Sequence, residues 1–555
     1  MRVTPEDLSE ALHRILTDAA ASGDLALEAD TIVVPRVARP KNREHGDWST
    51  NVALQLAKRA GINPRDLATA ISERLLTVDG IAKADVAGPG FLNITLDAAS
   101  AGELARQIVE AGDSFGRGAS ESGRVVNLEF ISANPTGPLH IGHTRWAALG
   151  DAMRRLLAAT GADVTAEYYI NDAGAQMNRY GASVLARARG EEPPADGYPG
   201  PDVAVRAQEV LAQRPDLLDL PEDEAVAVAR DFGCQAQLQA IKDTLEQFGV
   251  RFDVWFSERG LHQGGAVEKA IARLREQGHV FDAEGAIWLR TTTFGDDKDR
   301  VLVRANGEPT YFASDAAYYL SKKDRGFTEK IYLLGADHHG YIGRLKAIAA
   351  CAGDDPDFNI EVKIGQLVDI GGERMGKRRG NAIYLDDLLE WIGSDAVRYS
   401  LARFPADSPL SLDGEEMRKR SNDNPVFYVQ YAHARTCNVS RLAAEDGVNR
   451  DDAFEPSLLT HETEAALLAT LGDYPRIVAQ AARLLEPHRV ARYLEDLAAK
   501  YHKWYDECRV RPGMVDGELE PTTDLHRTRL WLNDATRQVL ANGLDLLGVS
   551  APDRL

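Results

Sequence analysis

The sequence predicts an α/β fold joined to an all-α part: a small N-terminal α/β domain, a central domain built on a parallel sheet, and a helical C-terminal domain. Three observations support this prediction. The chain has 555 residues, which is too many for a single hydrophobic core. Strand and helix patterns alternate over its first two thirds, and beyond Gly393 the apolar residues follow helical spacing almost throughout.

Composition limits the class of protein. Hydrophobic residues make up 44% and charged residues 27%, which is typical of a globular chain and excludes a disordered, collagen-like or coiled-coil one. Lys and Arg number 64 against 85 Asp and Glu, a formal charge of −21. That balance argues against binding nucleic acid through bulk positive charge, but it does not exclude a local basic face.

The cysteines and the N-terminus indicate the compartment. None of the four cysteines stands in a C-x-x-C pair, a pattern typical of free thiols in a reducing cytosol rather than of disulfides or a zinc site. The first residues contain no apolar stretch of a secretion signal, and no apolar run reaches the roughly 18 residues of a membrane span. We therefore expect a cytoplasmic protein with no membrane segment and no bound structural metal.

The first domain is predicted over residues 1–115. An apolar-periodic helix opens the chain, a second helix is predicted at Asn51–Arg59, and Gly88–Leu96 is typical of a turn followed by a strand. The polar, glycine-rich residues 111–123 then predict a boundary.

The central domain is predicted over residues 122–395. Val125–Ile131 and Val164–Ile170 are short runs fit for buried parallel strands, and the helix expected from about His143 makes them one βαβ unit of a Rossmann-type sheet. Residues near 190–230 are rich in proline, glycine and acids, which predicts an inserted excursion. Later predicted strands are Lys330–Leu334 and Val362–Ile370.

The C-terminal domain is predicted over residues 396–555. Its apolar residues recur at helical spacing over four long runs, which predicts a helical bundle. The runs are Val426–Leu442, Glu464–Leu485, Arg489–Cys508 and His526–Leu547.

The strongest local motif is the sequence ANPTGPLHIGH at Ala133–His143, between a predicted strand and a helix. Gly142 allows a nucleotide to approach the backbone, and a helix N-terminus favours negative charge. The imidazoles of His140 and His143 can donate hydrogen bonds to phosphate oxygens as charge develops in a transition state. A histidine pair that caps a helix, or half of a metal site, remains the alternative, and small nucleotidyltransferases use similar loops.

A second motif is the basic sequence RMGKRRGN at residues 374–381, after a predicted strand. Its four cations and two glycines suit a mobile loop that closes over a triphosphate, with Lys377 neutralising the leaving pyrophosphate. An isolated charge run of this kind is more often a solvated turn. The order of the two motifs changes that judgement, because they resemble the two halves of the ATP site in class I aminoacyl-tRNA synthetases.

The whole ordered set of motifs resembles arginyl-tRNA synthetases. The N-terminal HGDWSTNVALQLAK (45–58) resembles that family's additional tRNA-contacting domain, and the excursion near 190–230 is the main part without a match. The other matching segments are EFISANPTGPLHIGHTR (129–145), YYINDAGAQ (168–176), GEPTYFASDAAYY (307–319), LLGADHHGY (333–341), RMGKRRGN, SDAVRYSLAR (394–403), NPVFYVQYAHAR (424–435) and LGVSAPDRL (547–555).

The resemblance implies a two-step reaction. L-Arginine and ATP form arginyl-adenylate, and arginine is then transferred to the 2′-OH of the terminal adenosine of tRNA(Arg), with Mg²⁺ carried on ATP. The implied catalytic residues are His140, His143 and Lys377. The implied ATP-binding residues are Asn134, Gly142, His143, Gly335, Asp337, His338, Met375 and Lys377. His338 stands where glutamine is common elsewhere in the class.

The resemblance also implies an arginine pocket. Glu129 and Asn134 are expected to hold the α-amino end of arginine, with Ser132 nearby. Tyr311 and Asp315 lie four apart on one face of a predicted helix and are expected to meet the guanidinium. A carboxylate and an aromatic face suit the planar, forked guanidinium of arginine better than the point charge of lysine. A core aromatic and a surface acid are the alternatives. Individual roles for Asn171, Asp172 and Gln176 cannot be assigned.

The helical C-terminal part resembles an anticodon-binding domain. Tyr428, Tyr431, His433 and Arg435 offer aromatic and cationic groups that can stack on unpaired bases, with the core of a helical bundle as the alternative. The resemblance implies a monomer whose partners are tRNA(Arg) and L-arginine. A different class I synthetase and a binding-only relative remain the competing interpretations, although the histidines and Lys377 are all present.

Lys377 provides the first test. Many arginyl-tRNA synthetases lack a lysine in the basic loop and carry one just before the His-x-Gly-His sequence, but here Pro135–Pro138 contains none and Lys377 occupies the usual place. Lys377→Ala should therefore lower the rate of arginine activation by about 10²-fold, the effect of removing one transition-state donor. Pyrophosphate exchange measures this, and an unchanged rate would refute the assignment.

Overall fold

The computed structural model describes residues 5–40, 45–371 and 383–555. Met375 and Lys377 of the basic motif therefore lie outside the described residues. The described chain forms an N-terminal α/β unit, a central parallel-sheet unit and a C-terminal helical unit, each with its own hydrophobic core. This arrangement confirms the predicted fold class.

The N-terminal unit packs helices on an antiparallel sheet of order β1-β3-β2. Leu8 and Leu12 of the opening helix are buried in its core, as their spacing predicts. The last helix, α4, differs, since its buried Ala105 and Ile108 belong to the core of the helical unit. The elements are α1 (Pro5–Ala21), β1 (Trp48–Thr50), α2 (Val52–Ala60), α3 (Pro64–Leu75), β2 (Ile81–Ala87), β3 (Phe91–Leu96) and α4 (Ala98–Ala111).

The central unit is built on a parallel sheet. Its strands are β4 (Val125–Glu129), β5 (Asp163–Ile170), β6 (Val254–Ser257), β10 (Glu329–Gly335) and β11 (Ile360–Gly365), in the order β11-β10-β4-β5-β6. Strand order reverses between β4 and β10, the kind of switch point at which ligands bind in open α/β sheets. The Rossmann-type prediction is thus confirmed.

The strand predicted at Val362–Ile370 is wrong in one respect, because the chain forms two strands there. The second, β12 (Val368–Gly371), pairs with β13 (Leu410–Asp413) in a separate small sheet. The break falls where the Gln366 N–H donates to the carbonyl of Ala406, outside the main sheet.

Helices and a small antiparallel sheet of order β7-β8-β9 surround the parallel sheet. These elements are α5 (Ile141–Ala159), α6 (Ala175–Ala188), α7 (Pro201–Gln213), α8 (Glu222–Gln247), α9 (Glu258–Gln263), α10 (Ala266–Glu276), β7 (Val280–Ala283), β8 (Ala286–Leu289), β9 (Arg300–Val303), α11 (Tyr311–Asp324), α12 (Ile342–Cys351) and α13 (Leu385–Trp391).

The predicted excursion contains a helix that its composition did not indicate. Val203, Ala207 and Val210 of α7 are buried against α6 and α8, and the three helices share a small core of their own. Burying one apolar stripe is enough to stabilise a helix in an otherwise polar segment.

The C-terminal unit is a helical bundle, and the four predicted helices are confirmed to within a few residues. Long buried stripes on each helix form one core that also receives α4 and part of α5. The elements are α14 (Ser394–Ala402), β13, α15 (Gly414–Arg418), α16 (Pro425–Glu445), α17 (Glu462–Leu484), α18 (His488–Glu507), β14 (Met514–Val515), β15 (Glu518–Leu519) and α19 (Asp524–Leu546).

A buried ion pair joins the central unit to the helical one. Asp151 of α5 and Arg398 of α14 are both fully buried, and Arg398 Nη2 donates to Asp151 Oδ2 at 2.5 Å. Arg398 also donates to the carbonyls of Phe248 and Leu547, so one guanidinium links three segments. At the other end of the molecule, Arg39 of the N-terminal unit donates to a helical-unit carboxylate.

Removing the acid of this pair tests its role. Asp151→Ala leaves Arg398 buried and unpaired, which should destabilise the protein by about 3–5 kcal/mol. The matched control is Asp545→Ala, because Asp545 pairs with Arg155 but is 56% exposed, and we expect a loss of no more than about 1 kcal/mol. Urea unfolding followed by circular dichroism measures both, and equal losses would contradict the prediction.

Candidate active site

The predicted site residues converge where the parallel strands end. Glu129 is the last residue of β4, Gly335 is the last of β10, and Asn171 follows the end of β5. Because β4 lies between β10 and β5 in the sheet, these three ends are neighbours. The site therefore lies in the crevice beyond the carboxyl ends of the strands.

The histidine motif forms the N-terminus of α5, which begins at Ile141 rather than near His143. His140 is the N-cap, and its Nδ1 accepts a hydrogen bond from the Gly142 N–H at 3.1 Å. The ring of His143 stacks on that of His140, with centroids 3.7 Å apart. Burial, with a smaller effect of His140, lowers the pKa of His143 to about 3, so this ring is neutral at physiological pH.

His143 carries an unsatisfied polar atom. Its Nδ1 is buried and has no hydrogen-bond partner among the described residues. Buried polar groups are nearly always paired, so an unpaired one at a helix N-terminus indicates a place for a ligand atom. The arrangement fits an anion such as a phosphate.

The segment after the basic motif lies directly against the histidine loop. The Ile141 N–H donates to the carbonyl of Ile383, and the Leu385 N–H donates to that of Leu139, both at 2.8 Å. The segment before the motif, β12, contacts α5 itself. The segment that follows residues 372–382 thus lies beside the histidine loop, and the strand that precedes them contacts the helix that the loop opens.

Strained backbone shapes the end of β4. Ile131 and Ser132 have φ of 74° and 36°, values that residues other than glycine rarely adopt. This turn brings the Ser132 hydroxyl back to donate to Glu129 Oε1 at 2.9 Å, while Asn134 Nδ2 donates to the carbonyl of Asn171 at 3.0 Å. Glu129, Ser132 and Asn134 are therefore grouped as predicted.

Glu129 is also paired with a residue that the sequence reasoning missed. Lys322 of α11 is fully buried, and its Nζ donates to Glu129 Oε2 at 2.5 Å. The signal was available, because Tyr311, Asp315, Tyr318, Lys322 and Arg325 follow the 4-3-4-3 spacing of a single helix face.

The carboxyl group of Asp315 is half-buried, and its Oδ2 has no partner among the described residues. Burial, followed by the charges of Glu258 and Glu129, raises the pKa of Asp315 to about 8. The pKa of Glu258, which opens α9, is also raised, by burial and by Asp172. Arg344 partly opposes this shift of Asp315, but neither acid forms an ion pair within the described residues. Two neighbouring acids of this kind indicate a site for a cationic ligand.

Tyr311 stands beside these acids at the start of α11 and is 74% exposed. It lines an open cleft of about 700 Å³ together with Glu258, Asp172 and Gly174. Arg230, Arg259 and Arg304 line the same cleft, whereas Asp315, one turn from Tyr311 on α11, is not among its lining residues. Tyr311 and Asp315 are the residues predicted to meet the guanidinium, and sequence reasoning did not find Glu258.

The remaining predicted residues of the central unit differ in how they are placed. His338 is exposed on a short 3₁₀ helix after β10, with its ring centroid 6.3 Å from that of Tyr341. The side chain of Asp337 lies outside the described part of the structure. Asp172 accepts hydrogen bonds from the Ser257 hydroxyl and the Arg259 N–H, which fixes the end of β6.

In the helical unit, part of the predicted aromatic group is brought together. Arg435 donates to the Tyr431 hydroxyl at 2.7 Å and lies over the ring of Tyr505, 5.0 Å from its centroid. Tyr428 packs on His502, whose pKa is lowered to about 4 by burial and by Arg435. These five side chains form one partly exposed surface of α16 and α18, called the aromatic face below.

His433 does not belong to the aromatic face. It is 4% exposed, and its Nδ1 lies 3.0 Å from the carbonyl oxygen of Pro552, on the opposite side of α16. Stacking on a base requires an accessible ring, so the structure corrects the prediction for His433. Its ring contacts the last residues of the chain instead of facing solvent.

One group of potential metal ligands occurs in the described residues: His433, Cys437 and Asp553, with ligand atoms within 4.8 Å of one another. Each already has a partner in the chain, since Cys437 donates to Asp553 and His433 contacts Pro552. Within the described residues, no helix combines the length and apolar character that crossing a bilayer requires.

Three family models match the chain, and they follow its three units. An arginyl tRNA synthetase N terminal domain matches residues 6–96, a tRNA synthetases class I (R) catalytic domain matches 106–192 and 226–401, and a DALR anticodon binding domain matches 429–555. The catalytic model passes over the segment that contains α7.

Curated relatives match over full length. The chain is 64% identical over 554 residues to the arginine–tRNA ligase of Paenarthrobacter aurescens, with 100% of both chains covered. It is 61% identical to that of Micrococcus luteus, covering 99% of this chain and 100% of the relative.

Solved structures agree. A structure from Campylobacter jejuni described as an arginyl-tRNA synthetase has a TM-score of 0.74 and 32% identity over 83% of this chain and 100% of that one. The Thermus thermophilus arginyl-tRNA synthetase shares the fold, with a TM-score of 0.75 and 24% identity over both complete chains. The chain belongs to the arginyl-tRNA synthetases, the class I ligases that join arginine to its tRNA.

Proposed function

We propose that this chain forms arginyl-adenylate from L-arginine and ATP and transfers the arginyl group to the 2′-OH of the terminal adenosine of tRNA(Arg). The observation that carries the proposal is the pair of acids Asp315 and Glu258, which form no ion pair within the described residues and whose pKa values are raised, near the exposed ring of Tyr311. A planar guanidinium, with five N–H donors and a face that stacks on an aromatic ring, suits such groups better than the point charge of an ammonium.

The histidine loop binds the phosphates of ATP. The His140 Nδ1 accepts a backbone hydrogen bond, so its Nε2 carries the proton and is a donor. Together with the neutral ring of His143 and the amides at the start of α5, it stabilises the charge of the pentavalent α-phosphate. The arginine carboxylate is the nucleophile, so these groups position and neutralise rather than attack.

The rest of the nucleotide is held by the neighbouring strand ends and the basic motif. Asn134 and Gly142 meet the nucleotide beside the histidines, while Gly335, Asp337 and His338 after β10 meet the ribose. Met375 and Lys377 are assigned to the triphosphate by the sequence motif alone, with Lys377 neutralising the leaving pyrophosphate. Mg²⁺ enters with ATP as part of the substrate.

Glu129 holds the α-ammonium of arginine, with Ser132 and Asn134 completing that end of the pocket. The tRNA is bound through the aromatic face, on which Tyr428, Tyr431 and Arg435 stack against unpaired anticodon bases. The chain acts as a cytoplasmic monomer, with units over residues 1–115, 122–395 and 396–555.

Aminoacylation of tRNA(Arg) with labelled arginine tests the proposal. Citrulline is the decisive competitor, because it replaces the guanidinium by a neutral urea of nearly the same shape. The wild-type enzyme should prefer arginine by at least about 10³-fold, and Asp315→Asn or Glu258→Gln should remove most of that preference. An undiminished preference in both variants would place the guanidinium elsewhere.

Arginine binding should depend on pH. In the empty site Asp315, with a pKa of about 8, is mostly protonated at neutral pH, and that proton competes with the guanidinium. The Kd for arginine should therefore fall as pH rises from 6 to 8, by up to about tenfold per pH unit, and level off above 8.

Calorimetric titration in two buffers of different ionisation enthalpy measures this effect as release of close to one proton near pH 7. The control is Asp315→Asn, which should bind arginine weakly and release no proton. His143, with its pKa of about 3, does not titrate in this range. A Kd that is constant from pH 6 to 8 would contradict the prediction.

The aromatic face should contribute to tRNA affinity. Tyr431→Ala and Arg435→Ala should each weaken tRNA binding by about 5- to 100-fold, the effect of losing one stacked base or its cation. Arg441→Ala is the control, since Arg441 is exposed on the same helix but pairs with Glu445. Filter binding measures the Kd, and equal effects in all three variants would argue against a specific face.

A further inference from the structure

Two carboxylates stand side by side on the sheet beneath α11. Glu129 of β4 and Glu167 of β5 are register partners on adjacent parallel strands, so their side chains share one face. α11 crosses that face and supplies one cation to each. Lys322 Nζ lies 2.5 Å from Glu129 Oε2, and Arg325 Nη1 lies 2.5 Å from Glu167 Oε2.

Lys322 is an unusual residue for a protein interior. It is fully buried, and its ammonium lies 4.4 Å and 4.0 Å from the ring centroids of Tyr318 and Tyr332. Burial lowers the pKa of Lys322, while Glu129 opposes that change. Replacing a buried ion pair by apolar residues is often neutral or stabilising, so stability alone does not explain a lysine at this position.

The pair leaves Glu129 able to bind one further cation. Oε1 accepts from Ser132 and Oε2 accepts from Lys322, yet an ionised carboxylate has about four acceptor positions. Without Lys322, Oε2 of this buried carboxylate would lose its hydrogen-bond donor, and only Ser132 would fix the orientation of the group. A carboxylate that turns away no longer faces an ammonium.

We propose that Lys322 is a positioning residue for the α-ammonium site: it holds the Glu129 carboxylate in one orientation, ready for the amino group of arginine. The proposal rests on the assignment of Glu129 to that amino group made above. Lys322 itself does not touch the substrate. Arg325 pairs in the same way with Glu167, which is fully buried and is not among the residues assigned to the substrate above.

A pair of ligands separates this role from a structural one. L-Arginine and 5-guanidinopentanoic acid share the guanidinium and the carboxylate, but the second has no α-ammonium. The ratio of their dissociation constants, here called the ammonium preference, reports only on the contact with that group. General damage to the fold weakens both ligands and leaves the ratio unchanged.

The decisive variant is Lys322→Met, which keeps an unbranched side chain only one atom shorter and removes its charge. We expect its ammonium preference to fall by about 10- to 100-fold, the range of a charged hydrogen bond, while the Kd for 5-guanidinopentanoic acid stays within about twofold. Lys322→Gln, which retains an uncharged N–H donor group, is measured alongside as a second variant in case Lys322→Met does not fold. Isothermal titration with the full-length protein gives both constants.

Arg325→Met is the matched control, because it removes the neighbouring cation of the same helix face without touching Glu129. Its ammonium preference should remain that of the wild type. An equal fall in Arg325→Met, or an unchanged preference in folded Lys322→Met, overturns the proposal. If neither Lys322 variant folds, the lysine serves the core rather than the site, and the proposal is overturned as well.

Glu129→Gln separates this proposal from the one on which it rests. If Glu129→Gln loses the ammonium preference and Lys322→Met keeps it, Glu129 binds the amino group without help from Lys322, and only the present inference fails. If Glu129→Gln itself keeps the preference, the assignment of Glu129 fails and the positioning role fails with it.

Discussion

The site depends on the way in which one helix, α11, neutralises the acids of the sheet beneath it. Glu129 and Glu167 lie on neighbouring strands in the protein interior, where an unpaired carboxylate is costly. Lys322 of α11 pairs with the first, and Arg325, the residue that caps the C-terminus of α11, pairs with the second. The end of β4 thus carries a carboxylate whose charge the protein itself balances.

Two acids near the other end of α11, Asp315 on that helix and Glu258 on α9, are treated differently. Neither forms an ion pair within the described residues, and the pKa of each is raised, although Arg344 partly opposes the shift of Asp315. The pocket thus has two parts. At Glu129 the protein itself supplies a balancing cation, whereas at Asp315 and Glu258 a cationic ligand would supply it. A substrate with cations at both ends, separated by a flexible chain, matches that division better than a substrate with one.

The sequence predicted the fold well because its signals are local. Helical periodicity fixed the four long C-terminal helices to within a few residues, and the residues around His140 identified a loop that precedes a helix. The contacts that sequence reasoning missed are those set by packing between residues far apart in the chain. The ion pair of Glu129 and Lys322 joins residues 193 apart, and the burial of His433 depends on the chain end folding back on α16. Glu258 was missed because only the sheet order brings it near Asp315.

The buried pair of Asp151 and Arg398 has a consequence for how a whole tRNA is read. It anchors α5, which begins at the histidine loop, to the unit that carries the aromatic face. Buried ion pairs favour one geometry more than they add stability. The pair therefore holds the histidine loop and the aromatic face at one separation. If these two surfaces meet the acceptor end and the anticodon, as proposed above, a tRNA lengthened by one base pair between them would not reach both at once, even with every recognised base in place.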